Sequence, residues 1–147
     1  MRQRRISCRE NDTSFTLPIF VRVQIRSVLS VAENILLDLS YEFAVAIVSL
    51  TDKIDTPKSS YMSNQLARAG TSVGANIHEA QYAQSRKDFV SKLEIALKET
   101  SETSYWLKLL YDTGRISQQT YTQAEAMCGK IRRLLIASCR TAKENAK

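Results

Sequence analysis

The clearest fold signal in this chain lies at residues 85–114, which read SRKDFVSKLEIALKETSETSYWLKLLYDTG. Ser85 is followed three residues later by Asp88, a variant of the capping box that marks the start of a helix. Gly114 stands at the other end, where a left-handed glycine commonly terminates a helix. Between these two signals, inward-facing residues recur every three or four positions, as on one face of a helix; they are Phe89, Leu93, Ala96, Leu97, Thr100, Leu107 and Leu110.

Helical periodicity continues on both sides of this segment. A second helix is predicted from about Ser59 to Tyr82, and a fourth from Ser117 towards Ala142. The first helix is predicted from about Ala32 to Ile54, and Pro57 ends it because the residue before a proline avoids the α region. Short connections between long helices force antiparallel neighbours. The predicted fold class is therefore all-α: an antiparallel up-down-up-down four-helix bundle.

Residues 1–30 do not fit the bundle pattern. Apolar residues alternate between Phe15 and Ile25, which is the period of a strand, but a lone strand has no partner in a helical chain. We therefore predict a poorly structured extension at residues 1–30 and a bundle domain at 31–147. The extension is expected to be dispensable, and translation could begin at Val31.

The net charge of +6 is concentrated at the two ends of the chain. Residues 1–30 carry six arginines against two acids, and residues 128–147 carry six bases against one acid. Residues 31–127 carry nine bases against twelve acids and are net negative. A basic segment can bind a polyanion, although cations near the end of a helix also complement its dipole.

The cysteines and the hydropathy of the chain indicate the cellular compartment in which the protein is expected. Cys8, Cys128 and Cys139 show no CxxC spacing, which predicts free, small buried side chains in a reducing cytoplasm. Arg22 and Arg26 interrupt the longest apolar stretch, so neither a membrane-spanning segment nor export is expected.

The residues needed for catalysis are scarce. His78 is the single histidine, so a His-rich metal site or a di-iron bundle with paired Glu-x-x-His motifs cannot form. No P-loop, GxGxxG or HExxH motif is present. The sequence therefore predicts a protein that is not an enzyme and that holds no cofactor and no metal.

The second predicted helix contains a glycine-rich run, residues 69–76, which is poor helix material. Close approach of another helix would explain it, and a kink is the alternative. Polar residues lie near the apolar stripe of this helix and have two interpretations. They fix the register between helices or a contact between subunits, or they line a surface that contacts a ligand. The candidate interface residues are Arg68, Gly70, Gly74, Asn76 and Glu79.

The fourth predicted helix carries the candidate nucleic-acid-binding residues, which are Lys130, Arg132, Arg133, Arg140 and Lys143. Arg133, Arg140 and Lys147 recur every seven residues and form one stripe that could neutralise phosphates. Such a stripe can equally be solvated surface. Aromatic residues near the end of the third helix are predicted to pack rather than to stack on bases; they are Tyr105, Trp106 and Tyr111.

From about Glu33 onward the chain resembles a family of small four-helix bundle proteins. These were first noticed as open reading frames in intervening sequences of bacterial 23S ribosomal RNA genes. The matching segments are residues 33–35 (ENI), 40–44 (SYEFA), 65–80 (QLARAGTSVGANIHEA), 85–89 (SRKDF), 95–99 (IALKE) and 102–107 (ETSYWL). The resemblance implies a bundle fold and a ring-shaped homo-oligomer, a pentamer, with a heterologous closing interface. The chain is also similar to accessory proteins of diversity-generating retroelements, which implies nucleic acid and a reverse transcriptase as partners.

Two hypotheses for function follow. The first is a scaffold that associates with structured RNA or DNA through basic helix ends. The second is an interaction module that binds a protein partner through its oligomer surface and contacts no nucleic acid. No membrane partner is expected in either case.

Overall fold

The computed structural model describes the backbone of residues 19–54, 56–57 and 59–144, and the side chains in these ranges from residue 34 onward. It contains four helices and, in this part of the chain, no strand: α1 (Ile19–Ile54), α2 (Ser60–Ala80), α3 (Arg86–Asp112) and α4 (Gln118–Glu144). Each helix packs against the next, and α1 also packs against α4. The all-α four-helix fold is confirmed, and the three five-residue connections make neighbouring helices antiparallel.

The ends of α3 follow the signals in its sequence. The Ser85 hydroxyl accepts a hydrogen bond from the Asp88 backbone N–H at 3.1 Å, as an N-cap does. Gly114 has φ of +69°, and the next N–H, that of Arg115, donates to the Leu110 carbonyl at 2.8 Å. This arrangement is a Schellman motif, which satisfies a carbonyl that the helix itself leaves unpaired.

The core is formed where the inner faces of the four helices meet. Its largest fully buried side chains are Phe43, Ile47, Leu66, Val73, Ile77, Leu93, Thr100, Thr103, Leu107, Leu110, Ile131 and Leu135. Cys128 and Cys139 are free thiols and are buried among them, as predicted, whereas Cys8 lies outside the described residues. Most buried hydroxyls donate to a carbonyl of their own helix, as Thr103 does to Glu99 one turn earlier at 2.7 Å, whereas Ser63 of α2 donates to Thr51 of α1.

Two glycines bring α2 close to α1. A Cβ at Gly70 would lie 2.8 Å from Ile47 Cγ2, and a Cβ at Gly74 would lie 3.3 Å from the Ser40 carbonyl oxygen. The glycine-rich run therefore serves close helix packing, and α2 continues through it as an uninterrupted helix. Both glycines are buried against α1 of the same chain, so they present no surface to another subunit.

The start of α1 differs from the prediction. The helix begins at Ile19 rather than near Ala32, so the backbone of residues 19–30 is helical and neither extended nor irregular. The physical reason is that a helix satisfies its backbone hydrogen bonds within one segment, whereas a strand needs a partner. Residues 1–18 lie outside the described residues, and the dispensability of the extension stays a prediction.

The apolarity of α1 also needs an explanation. Residues Asn34–Ile54 are long and apolar enough to cross a membrane by length and composition alone, with a mean hydropathy of 1.4. One side of this stretch, which includes Leu36, Phe43 and Ile47, is buried in the bundle. Only 28% of this apolar stretch is buried, so packing in the bundle accounts for one side of it and leaves other apolar residues, such as Val45 and Val48, exposed.

Candidate nucleic-acid interface

The core stripe of α4 determines where its basic residues lie. Cys128, Ile131, Leu135 and Cys139 are buried, and this spacing turns one face of the helix inward. Among the five candidate residues, Lys130, Arg133, Arg140 and Lys143 are exposed, whereas Arg132 is only partly exposed. Lys147, the last position of the seven-residue stripe, lies outside the described residues.

Arg132 is turned towards α3 and away from bulk solvent. Its guanidinium donates to the Ser104 hydroxyl at 2.6 Å and lies 4.0 Å from the Glu125 carboxylate. The Cys128 thiol is 3.5 Å from the same hydroxyl, and burial raises its pKa. Arg132 therefore ties α4 to α3, and its main contacts are internal to the bundle.

Arg140 and Lys143 each have a carboxylate partner. Arg140 Nε donates to Glu144 at 2.8 Å, and Lys143 Nζ donates to Glu94 of α3 at 2.6 Å. The hydrogen bond and the positive charge of Lys143 lower the pKa of the Glu94 carboxyl, and the same hydrogen bond and the negative charge of Glu94 raise the pKa of Lys143. Two cations and two anions therefore meet at this end of the bundle, and their charges largely cancel there.

Lys130 and Arg133 are the two α4 candidates that have no carboxylate partner within the described ranges. Both are exposed, and the Arg133 guanidinium lies close to Gly129 one turn earlier. On α3, Lys98 is exposed as well and lies one turn after Glu94, the residue that contacts α4. Lys98 forms no ion pair within the described ranges, although its charge also lowers the pKa of Glu94. We call Lys98, Lys130 and Arg133 the unpaired basic face. The sequence analysis missed Lys98 because only the packing of α3 on α4 reveals its neighbours.

The polar candidates of α2 mostly join it to α3. The Arg68 guanidinium contacts the carboxylates of Glu102 and, at 3.8 Å, Glu99. Glu79 contacts Lys92 in the same way. Asn76 instead donates to the carbonyl of Ser72 in its own helix at 2.9 Å, so it fixes no register between helices.

The Arg68 contacts involve two carboxyl groups in different environments. Burial raises the pKa of Glu99, although Arg68 opposes the shift. The hydrogen bond from Arg68 lowers the pKa of Glu102, and the Trp106 indole N–H also donates to this carboxylate at 3.3 Å. Arg68 and Glu79 thus make contacts within one chain that account for their positions.

The described residues contain no group of three or more histidines, cysteines or carboxylates that could hold a metal ion. His78 is exposed on α2. Besides an opening of about 360 Å³ at the paired charges of Glu94, Arg140 and Lys143, a groove of about 270 Å³ lies between α4 and α1. The groove is lined mainly by apolar side chains such as Phe43, Leu50 and Met127. Lys53 is its one charged lining residue, so the groove offers little for acid–base chemistry.

Comparison with known proteins agrees with the four-helix fold. A family described as "23S rRNA-intervening sequence protein" matches residues 32–137. A crystal structure of a protein of unknown function from the S23 ribosomal protein family of Bacteroides thetaiotaomicron is 44% identical. It covers 74% of this chain and 98% of its own, with a TM-score of 0.69. No match was found among the curated proteins. The likeness to retroelement accessory proteins stays a prediction. Both findings lead to one conclusion: this chain belongs to the family of 23S rRNA-intervening sequence proteins.

Proposed function

We propose that this protein is a non-catalytic scaffold that assembles into a homo-oligomeric ring, a pentamer, and binds structured RNA or DNA through the unpaired basic face. The observation that carries the proposal is the exposure of Lys130 and Arg133 without a carboxylate partner among the described residues. Cations that are already paired gain less from a phosphate, because they must first give up a partner.

The family description supports a nucleic-acid ligand, because it places relatives of this chain within 23S ribosomal RNA genes. The charge distribution supports the same ligand, since residues 128–147 carry six bases against one acid. Contacts to phosphates do not depend on the nucleotide sequence, so we expect the protein to recognise the shape and charge of its ligand.

A ring increases the effect of a weak site. Each subunit would present one unpaired basic face, and simultaneous contacts convert later binding events into intramolecular ones. A few cations per subunit can therefore support useful affinity, provided that the ligand reaches more than one subunit.

The test is a mobility-shift titration of the oligomer with a structured RNA and a duplex DNA at two salt concentrations. We expect Lys130→Gln/Arg133→Gln to weaken binding and to lower the slope of log affinity against log salt by about 2 for each subunit that contacts a duplex. Arg140→Gln/Lys143→Gln should have a smaller effect because both residues are paired.

The matched control is Lys53→Gln/Lys87→Gln, which removes the same charge from two exposed lysines that form no ion pair within the described ranges and should bind nearly as the parent does. If neither nucleic acid binds at low salt, the proposal fails. It also fails if the control loses as much affinity as Lys130→Gln/Arg133→Gln, because general charge would then explain the binding.

A second candidate function is an interaction module that binds a protein, a second copy of this chain or another partner such as a reverse transcriptase. It rests on a row of exposed apolar side chains along α1. Tyr41 is 67% exposed, Val45 49% and Val48 42%, and their spacing places them on one face. Apolar residues grouped in this way on a surface mark interaction sites more often than isolated ones do.

Val45→Glu/Val48→Glu tests this second candidate by sedimentation velocity of the full chain. A fall from oligomer to monomer with an unchanged helical signal would assign the row to self-assembly. Ser49→Glu is the control, because it adds a charge to an exposed position on another flank of α1. A parent protein that sediments as a monomer would contradict the ring.

A further inference from the structure

Three aromatic side chains form an open cluster between α2 and α3. The Tyr61 and Tyr105 rings each meet the Trp106 ring edge to face, with centroids 5.9 Å and 5.0 Å away and interplanar angles of 83° and 75°. Trp106 packs against the core, whereas Tyr61 is 68% and Tyr105 59% exposed. One edge-to-face contact leaves much of each tyrosine ring open to solvent.

The other aromatic pair of the bundle shows what internal packing looks like. Tyr111 and Tyr121 stack with centroids 4.9 Å apart and an interplanar angle of 11°, and both side chains are partly buried. Packing between α3 and α4 thus explains Tyr111, as the sequence predicted. It does not explain Tyr105, whose ring is mostly outside the bundle.

Tyr105 continues the unpaired basic face along α3. It follows Lys98 by seven residues, which is close to two helical turns, so the two exposed residues share one side of the helix. The residue before it, Ser104, contacts Cys128 and Arg132 of α4. Measured along the bundle axis, the Tyr105 ring therefore lies within about one helical turn of Arg133.

The acidic neighbour of the cluster is already neutralised. The Glu102 carboxylate accepts hydrogen bonds from Arg68 and from the Trp106 indole N–H. The Glu102 carboxylate is therefore paired, and an anionic ligand at the Tyr105 ring meets Lys98 on the same side of α3. An apolar ring next to unpaired cations is the combination that binds bases and phosphates of unpaired nucleic acid.

We propose that Tyr105, supported by Trp106 and flanked by Tyr61, is a stacking platform for unpaired nucleobases whose backbone phosphates contact Lys98, Lys130 and Arg133. The inference rests on the proposed function and narrows its ligand. A fully paired helix buries its base faces within its own stack and can use only the cations. A hairpin loop, a bulge or a single strand can use the cations and the ring together.

Trp106 provides a direct readout because it is the only tryptophan in the chain. The oligomer is titrated with a stem-loop and with a fully paired duplex of the same stem, as RNA and as DNA, and both affinity and tryptophan fluorescence are recorded. We expect the stem-loop to bind more tightly and to quench the fluorescence, while the duplex binds without quenching. Tyr105→Leu should weaken stem-loop binding roughly tenfold and leave duplex binding unchanged, and Tyr105→Phe should behave as the parent.

The outcomes separate this inference from the function on which it rests. Equal binding of stem-loop and duplex, unaffected by Tyr105→Leu, overturns the stacking platform and leaves a scaffold that binds phosphates only. Absence of binding by either ligand at low salt overturns both. Loss of the oligomer in Tyr105→Leu or Tyr61→Leu, seen by sedimentation, also overturns the platform because the cluster would then be a contact between copies.

Discussion

The two sides of α1 are packed in different ways. Towards α2, Gly70 and Gly74 remove two side chains so that the helices almost touch. Towards α4, packing is the loosest of the four sides, and a groove of about 270 Å³ remains between the helices. The helix α1 is thus tightly packed on the side that faces α2 and loosely packed on the side that faces α4. Substitutions that add volume should therefore have opposite consequences on the two sides.

The largest effect is expected for Gly70→Leu. Even its Cβ would lie within 3 Å of two Ile47 carbons, so either α1 or α2 must shift. We expect the free energy of unfolding, measured by urea denaturation, to fall by about 1–3 kcal/mol or more.

Gly129→Ala is the matched control, because a Cβ there meets only the flexible end of Arg133 at 3.6 Å. Replacing this helical glycine should stabilise the protein by up to about 1 kcal/mol. Equal responses at the two glycines would show that α1 and α2 are not in close contact.

A smaller loss is expected for Ser63→Ala. The Ser63 hydroxyl donates to the Thr51 carbonyl at 3.2 Å, so it joins α2 to the last turn of α1. Removal of the donor should cost about 1 kcal/mol of unfolding free energy. Ser91→Ala, at an exposed position of α3, should change it by less than about 0.5 kcal/mol.

Ala124→Leu probes the loose side. Ala124 lines the groove beside Leu50 and Met127, so extra methyl groups enter open space and cover apolar surface. We expect a change in unfolding free energy of less than about 1 kcal/mol in either direction. A loss as large as that of Gly70→Leu would show that the groove closes in solution.

The smallest effect concerns pH, and it compares two carboxyl groups of α3. The pKa of Glu94 is lowered by Lys143, so its contribution to stability is present at neutral pH and is lost as the pH falls through the folded-state value. The pKa of Glu99 is raised by burial, so ionisation costs stability at neutral pH and protonation relieves that cost as the pH falls.

Glu94→Gln should therefore destabilise the protein at neutral pH and have less effect under acidic conditions. Glu99→Gln should do the reverse and raise the unfolding free energy at neutral pH. Urea titrations at pH 7 and at pH 4 measure both. If the unfolding free energies of both variants changed in the same direction with pH, the two carboxyl groups would not differ in environment as described.

Helix ends and core residues could be predicted because their signals are local. The helix-end signals at Ser85, Asp88 and Gly114 depend only on residues a few positions away in the chain. Likewise, the spacing of apolar residues within one helix is enough to identify its buried face. The same locality misled the prediction for residues 19–30, where an alternating pattern without a partner strand is interpreted as a poorly structured extension. Without a partner strand that pattern has no structural consequence, and the helix extends through it.

The sequence alone determined four helices, their order and the basic character of the chain's end, because these depend on composition and on spacing within one segment. Only the tertiary structure decided which cations are free. Lys143 meets a glutamate 49 positions away, Arg132 a serine 28 away and Arg68 a glutamate 34 away. It also left Lys98 and the ring of Tyr105 exposed on one side of α3. The physical reason is that charge pairing and exposure depend on which helix faces meet, and this follows from packing the whole bundle.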